Sequence, residues 1–190
     1  MAASDARILM TGYNGDVNGY EIVIGGWNNS QSVIRDWTPA MSHPDPGHAV
    51  TQVWIFCIPF KSILTFRLLQ TPGILDESEY RKFWIQVSVE LEGHMPGYYP
   101  LTIAVGEGGQ EEPFMEHTWE MQCRSIRAIA LAGGAEVTTS WQFGHDYSRT
   151  LETTGYDYQY LDEAKMALEE NHPFFSGLDC PNDYLPITYY

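Results

Sequence analysis

Apolar and polar residues alternate with a period of two along most of this chain, and that pattern sets the expected elements. Ala6 to Thr11 (ARILMT) reads as a first short strand, ended by Gly12 and the polar turn Asn14-Gly15-Asp16. Gly19 to Trp37 (GYEIVIGGWNNSQSVIRDW) reads as a hairpin. Tyr20, Ile22 and Ile24 alternate with Glu21, Val23 and Gly25, so one face is strongly apolar and the other mixed. Gly25, Gly26, Asn28 and Asn29 supply the turn, and Val33, Arg35 and Trp37 alternate with Ser32, Ile34 and Asp36 on the return. Thr38 to His48, with three prolines, is expected to be an exposed loop. Val50 to Phe60 (VTQVWIFCIPF) is nearly continuous apolar, as in a central strand covered on both faces. Ser62 to Gln70 alternates again, and Thr71 to Tyr80 is a turn-rich acidic connection.

The same reading continues downstream. Phe83 to Leu91 is a strand with Trp84, Gln86, Ser88 and Glu90 on one face, and Glu92 to Pro100 is an aromatic loop. Leu101 to Val105, Phe114 to Trp119, Ile126 to Ala132 and Val137 to Phe143 complete the set, with Gly106-Glu107-Gly108-Gly109 and Gly133-Gly134 as turns. About ten short strands with no helical spacing before residue 150 argue an all-β, antiparallel, jelly-roll-like β-sandwich. Tyr158 to Glu170 places Leu161, Ala164 and Leu168 at helical spacing, stopped by Asn171, His172 and Pro173. The expected organisation is a sandwich over 1–145, with a C-terminal helix and irregular tail over 146–190 packed against it.

Composition narrows the classes of partner. Ten Lys and Arg stand against 25 Asp and Glu, a formal charge of −15. Phosphate backbones and anionic lipid repel such a chain, so nucleic acid and membrane surfaces are excluded as partners on this reading. No apolar run reaches the ~18 residues of a membrane helix. The first residues lack a basic segment followed by an apolar one, so no signal peptide is visible; a removed signal would leave the same sequence, and secretion stays open beside a cytoplasmic location. Cys57, Cys123 and Cys180 lack CxxC spacing, and a disulfide between the last two is compatible with the sequence but not assigned by it. Asn28-Asn29-Ser30 is a glycosylation sequon at Asn28, meaningful only in a secreted chain. Six Trp, 12 Tyr and 8 Phe are an unusual aromatic load, suited to a β core or to the walls of a pocket.

Candidate chemistry is sparse. His43, His48, His94, His117, His145 and His172 are scattered without zinc spacing, and Asn14, Asp16 and Asn18 carry one carboxylate, too few for a calcium loop. No GxSxG elbow marks a nucleophile. Neither a metal nor a cofactor is expected.

Three segments together carry a resemblance. YEIVIGGWNNSQSVIR at 20–35, FWIQ at 83–86 and LTIAVGEGGQEEPFMEHTW at 101–119, continuing through SIRAIALAGGAEVTTSWQF, are similar to the domain named after farnesoic acid O-methyltransferase. The likeness spans about 6–144. It implies a β-sandwich module, of a kind found in arthropod proteins, in multidomain extracellular proteins and as short free-standing fungal proteins. Methyl transfer is not the expectation, because the glycines after Val105 run into Pro113 and another strand rather than into the helix of a nucleotide-type cofactor site. The short length, the tail and the aromatic load resemble the fungal branch. That resemblance implies a cofactor-free intermolecular hetero-Diels–Alderase, joining a tropolone-derived o-quinone methide to a humulene-type sesquiterpenoid in secondary metabolism.

A pericyclic reaction needs two apolar reactants held in a reactive pose and donors for developing charge. Trp27, Trp54, Trp84, Tyr98, Tyr99, Trp119 and Trp141 are the candidate walls, with core packing the competing reading for each tryptophan. Arg35, Arg67, His94 and His117 are the candidate donors. The two arginines sit in apolar strands, either as surface-face charges or as anion-handling groups inside the sandwich. The expected partners are small apolar or aromatic substrates, and a homodimer is compatible with the sequence. The rival reading is a secreted, lectin-like module binding glycans through Trp27 beside Asn28, Asn29 and Gln31.

Overall fold

The alternating segments become paired strands in a computed structural model, which describes residues 1–12, 19–37, 68–90, 99–120, 126, 128–134, 138–143, 149–156 and 158–160. In chain order the strands are β1 (Ala6–Thr11), β2 (Gly19–Gly25), β3 (Gln31–Trp37), β4 (Leu69–Gln70), β5 (Phe83–Val89), β6 (Leu101–Glu107), β7 (Met115–Trp119), β8 (Ala128–Ala132), β9 (Thr138–Phe143), β10 (Arg149–Thr154) and β11 (Gln159–Tyr160). They pair as a six-stranded sheet in the order β11-β8-β1-β2-β3-β4, a three-stranded sheet β5-β6-β7 and a ribbon β10-β9. Every pairing is antiparallel. The fold is all-β, as the alternation predicts.

The core follows the same period. Ile8 and Met10, Tyr20, Ile22 and Ile24, Ile34 and Leu131 point from the large sheet toward Leu101, Ile103, Val105 and Met115 of the small one. Trp141 and Leu151 of the ribbon pack against this cluster as well. The sandwich closes along the β3–β7 side, where the Trp119 ring sits 4.5 Å from that of Tyr20 and donates Nε1–H to Asp36.

Two expectations change at the chain's later part. The ribbon strand β10 and the short β11 extend the sheets to Tyr160, past the boundary expected at 145. Gln159 and Tyr160, expected to open a helix, instead pair with Leu131 and Ala130, since an edge of β8 stands open to them. The remainder of that helix, the apolar strand at 50–60 and all three cysteines lie outside the described residues.

The second face of the large sheet departs most from its expected mixed character. All seven β2 residues are buried, Glu21 included at 2% exposure. Leu9, Trp37 and Ala130 form a second apolar cluster there with Tyr158 against it. Within this layer Glu21 bridges two arginines: Arg7 Nη1 donates to its Oε1 at 3.0 Å, and Arg35 donates to Oε2. The Tyr158 hydroxyl also donates to Oε1, Asp5 pairs with Arg7 at 3.2 Å, and the Arg7 guanidinium lies 4.7 Å from the Tyr156 ring centre. Burial pushes the Glu21 carboxyl up, but Arg35 and Arg7, with the bonds from Arg35 and Tyr158, hold it below its ordinary value. Burial and the same carboxylate push the Tyr158 hydroxyl up, so it stays a donor.

Removing one partner of a buried ion pair leaves the other charge uncompensated. Glu21→Ala is expected to cost about 3–5 kcal/mol in denaturant unfolding. The Glu21 contribution is complete above its unfolded value near 4.5 and is lost as pH falls through its lower folded value. The denaturation midpoint should therefore drop below pH ~4.5 in the wild type, with a shallower drop in Glu21→Gln.

Candidate functional site

One end of the sandwich does not close. Between the large sheet, β5 and β9 lies a cavity of about 550 Å³. Its floor is Ala6, Ile8 and Met10 of β1 with Ile24, Ile129 and Leu131; Phe83, Ile85 and Val87 of β5 and Trp141 of β9 face them. Ile85 shows why the cavity is open. It points inward between Phe83 and Val87, yet stays 38% exposed, because none of the described residues fills the space before it. Polar groups gather at the rim: Asp76, Glu79, Tyr80, Arg81, Lys82 and Ser140. The Tyr80 hydroxyl meets the Ser140 hydroxyl at 2.8 Å, and Ser140 N donates to the carbonyl of Met1 at 2.8 Å. Asp76 accepts from the Ser78 hydroxyl and from the Ser78 and Glu79 backbone, bonds that pull its carboxyl down to about 2. Thr139, also lining the cavity, is buried and its Oγ1 has no hydrogen-bond partner among the described residues.

The hairpin turn holds one wall of this cavity in place. Gly25, Trp27, Asn28 and Asn29 all take positive φ, between 51° and 61°, so the turn is left-handed. Glycine and asparagine tolerate that region; a tryptophan there is unusual. A Cβ on Gly25 would lie 2.7 Å from Leu75, so glycine is required for space as well as for φ. The turn clamps the segment that follows β4. The Asn29 amide donates to Leu75 O at 2.8 Å and accepts from Leu75 N at 3.0 Å, and Gly73 N donates to Asn29 O at 2.8 Å. Ser32 and Thr71 join their hydroxyls at 2.7 Å behind it. Leu75 and Asp76 thereby reach the cavity in a defined position.

Two of the expected wall residues border the cavity. Trp141 faces inward, its Nε1–H held by Thr153 Oγ1 at 3.0 Å. Trp84 borders it at β5, but its indole lies across Gly106 on the outer face of the small sheet and donates to Gln110 O at 2.9 Å. The glycines after Val105 are accounted for by this stacking and by a turn closed by Gln110 N to Glu107 O, after which the chain enters β7.

The other expected residues sit elsewhere. Trp27 is 36% exposed on the turn beside exposed Asn28, the sequon position. Trp119 and His117 belong to the closed side, with ring centres 4.3 Å apart, and His117 borders a separate recess of about 310 Å³ with Ile34 and Phe114. Burial lowers His117 below the ordinary histidine value, against the opposing charge of Asp36, and so favours the neutral ring. Tyr99 is half-buried just before β6 and borders neither space. Arg35 is neither a surface charge nor a donor inside the sandwich: it is 5% exposed and bound to Glu21 on the other face of the large sheet. Trp54, Tyr98, Arg67 and His94 lie outside the described residues.

The family model described as farnesoic acid O-methyl transferase matches residues 1–146. The chain belongs to the farnesoic acid O-methyltransferase family. No curated protein and no solved structure matches it. The family segment contains the left-handed turn, the small sheet, the large sheet apart from β11, and β9, so every residue lining the cavity lies within it.

Sequence reasoning missed Ile85, Tyr80 and Thr139. Ile85 and Thr139 carry the ordinary signal of inward strand positions, and Tyr80 ends a stretch read as a connection; nothing local distinguishes them. Asn29→Ala removes both bonds to Leu75 and strands two backbone groups. It is expected to cost about 1–3 kcal/mol in unfolding and to speed amide exchange at Leu75, measurable by hydrogen–deuterium exchange.

Proposed function

We propose that this chain is a cofactor-free cyclisation enzyme that holds its reactants in the cavity between the sheets. The observation carrying this reading is the cavity itself: about 550 Å³, walled by Ile8, Met10, Ile85, Leu131 and Trp141, with hydroxyl groups at Tyr80 and Ser140. Small-molecule sites run to roughly 300–1,000 Å³ with mostly apolar walls and a few polar groups. The reaction proposed is the intermolecular hetero-Diels–Alder addition of a humulene-type alkene to a tropolone-derived o-quinone methide. One C–C and one C–O bond form as the alkene π bond and the exocyclic C=C and C=O π bonds of the quinone methide are consumed and one ring C=C bond is made, giving a dihydropyran. No group leaves, and no net proton or electron transfer is required. Such a step asks the protein for proximity and for a donor near the oxygen, both of which a walled cavity with a few hydroxyls supplies.

Incubation of the protein with a quinone-methide precursor and a humulene-type alkene tests this. The expected result is faster and more stereoselective dihydropyran formation than in protein-free buffer; equal rate and selectivity would overturn it. Ile85→Trp places a large ring at the open mouth, on a side chain already 38% exposed. It should reduce turnover at least ten-fold with little change in melting temperature.

The second reading, a glycan-binding module, draws on Trp27 and Asn28 exposed together on the turn. Asn29 is committed to Leu75, which removes one of the polar groups that reading uses. Saturable binding on a glycan array, lost in Trp27→Ala, would favour it over cyclisation.

A further inference from the structure

We propose that Tyr80 reads the ligand's oxygen: a largely hydrocarbon reactant enters the cavity hydrocarbon first and leaves a conjugated carbonyl at the mouth, on the Tyr80 hydroxyl. The inference rests on the reading of the cavity as a small-molecule site.

Tyr80 stands three residues before β5 and borders the cavity together with Ser140 of β9. It is 36% exposed, and its hydroxyl meets the Ser140 hydroxyl at 2.8 Å across 60 residues of chain. The contact is open to solvent, which places it at the rim. Thr139 and Trp141, on either side of Ser140, turn toward the core, and Ser140 N donates to the carbonyl of Met1, so the Ser140 hydroxyl is held at a fixed point of that rim. Two hydroxyls in contact own two protons, and only one of these can lie between the oxygens. The other points away from the pair, whichever oxygen donates. When Ser140 donates to Tyr80, the outward proton is the phenolic one, and a donor that itself accepts a hydrogen bond is strengthened. The pair is therefore a neutral donor with no charge to desolvate when a ligand covers it.

The surrounding groups decide which ligand can use that donor. Ile8, Met10, Ile129 and Leu131 line the depth of the cavity with hydrocarbon. The two polar groups beside them are out of reach, since Thr153 holds the Trp141 N–H and Thr139 Oγ1 is itself buried. At the rim, Asp76 is engaged by Ser78, Glu79 N and Arg81. A ligand gains most by turning its apolar surface to the floor and its oxygen to the mouth. A carbonyl asks only for a donor, and conjugation makes its oxygen the better acceptor. Within the proposed cyclisation that oxygen belongs to the quinone-methide partner. It gathers negative charge as C–C bond formation runs ahead of C–O bond formation, and a donor already in place lowers the barrier. The proton stays on Tyr80 throughout, because the oxygen ends as a ring ether.

1-Tetralone and tetralin differ by a single conjugated carbonyl oxygen, and titration of the full chain with each by isothermal calorimetry isolates the Tyr80 contribution. The wild type should bind 1-tetralone about five-fold more tightly than tetralin, the effect of one net hydrogen bond. Tyr80→Phe should erase that preference and leave the tetralin Kd unchanged, while Ser140→Ala should reduce the preference without erasing it. The carbonyl stretch of bound, isotope-labelled 1-tetralone should lie at lower frequency in the wild type than in Tyr80→Phe. A preference that survives in Tyr80→Phe, or a stretch that does not move, overturns the inference. So does an equal loss of both probes in Tyr80→Phe, which would make the hydroxyl contact a brace for the mouth and nothing more. Equal binding of both probes to the wild type refutes the donor alone and leaves the cavity reading standing. Binding of neither probe refutes the cavity reading, and the donor with it.

Discussion

The structure turns on a carboxylate where a hydrophobic residue would be expected. Glu21 lies in the middle of β2, fully buried, and ties β1, β2 and β3 together through Arg7 and Arg35. In the pairing register Glu21 stands directly opposite Arg35, while Arg7 lies two residues from the position opposite it, on the diagonal. Shifting either neighbour by one residue would turn its arginine into the sandwich core, where the described residues place no carboxylate. Two apolar alternations could slide past one another at modest cost; a desolvated charge triad cannot. Asp5, Tyr156 and Tyr158 complete the layer, so the face that an isolated sandwich would leave to water is closed.

That closure frees the other face to carry a cavity. With three central strands pinned in register, β1 forms a rigid floor of Ala6, Ile8 and Met10. Tyr20, Trp119 and Asp36 lock the sandwich at its β3–β7 side. At the opposite side β5 is an edge strand among the described residues, and none of these fills the gap before Ile85. The left-handed turn belongs to the same arrangement. It places Trp27 in a backbone region that costs a bulky residue about 1–2 kcal/mol, and it delivers Leu75 to the wall of the cavity. Local strain at the turn is offset by the bonds it makes to the segment after β4.

The legible and illegible parts divide along one line. Tyr20, Ile22 and Ile24 announced their face because period-two alternation is a property of neighbouring residues. Arg35 was conspicuous as a charge in an apolar strand, but its partner could not be named. Pairing it with Glu21 depends on the register of a turn whose tryptophan adopts a conformation that sequence rules reserve for glycine and asparagine. Trp84 was expected to point a ring at a ligand, yet a missing Cβ at Gly106, one strand away, lets its indole lie flat on the outer face.

By itself, the amino-acid sequence determined the all-β class, most strand boundaries, the inward faces and the family, since each of these is written in local spacing and in contiguous motifs. Tertiary structure alone decided which charges are buried together, which tryptophans meet open space and which strands leave a cavity between them. Those outcomes depend on the packing of segments as far apart as Ala6 and Trp141. A void is what remains when several surfaces fail to meet, and no single segment of the chain encodes it.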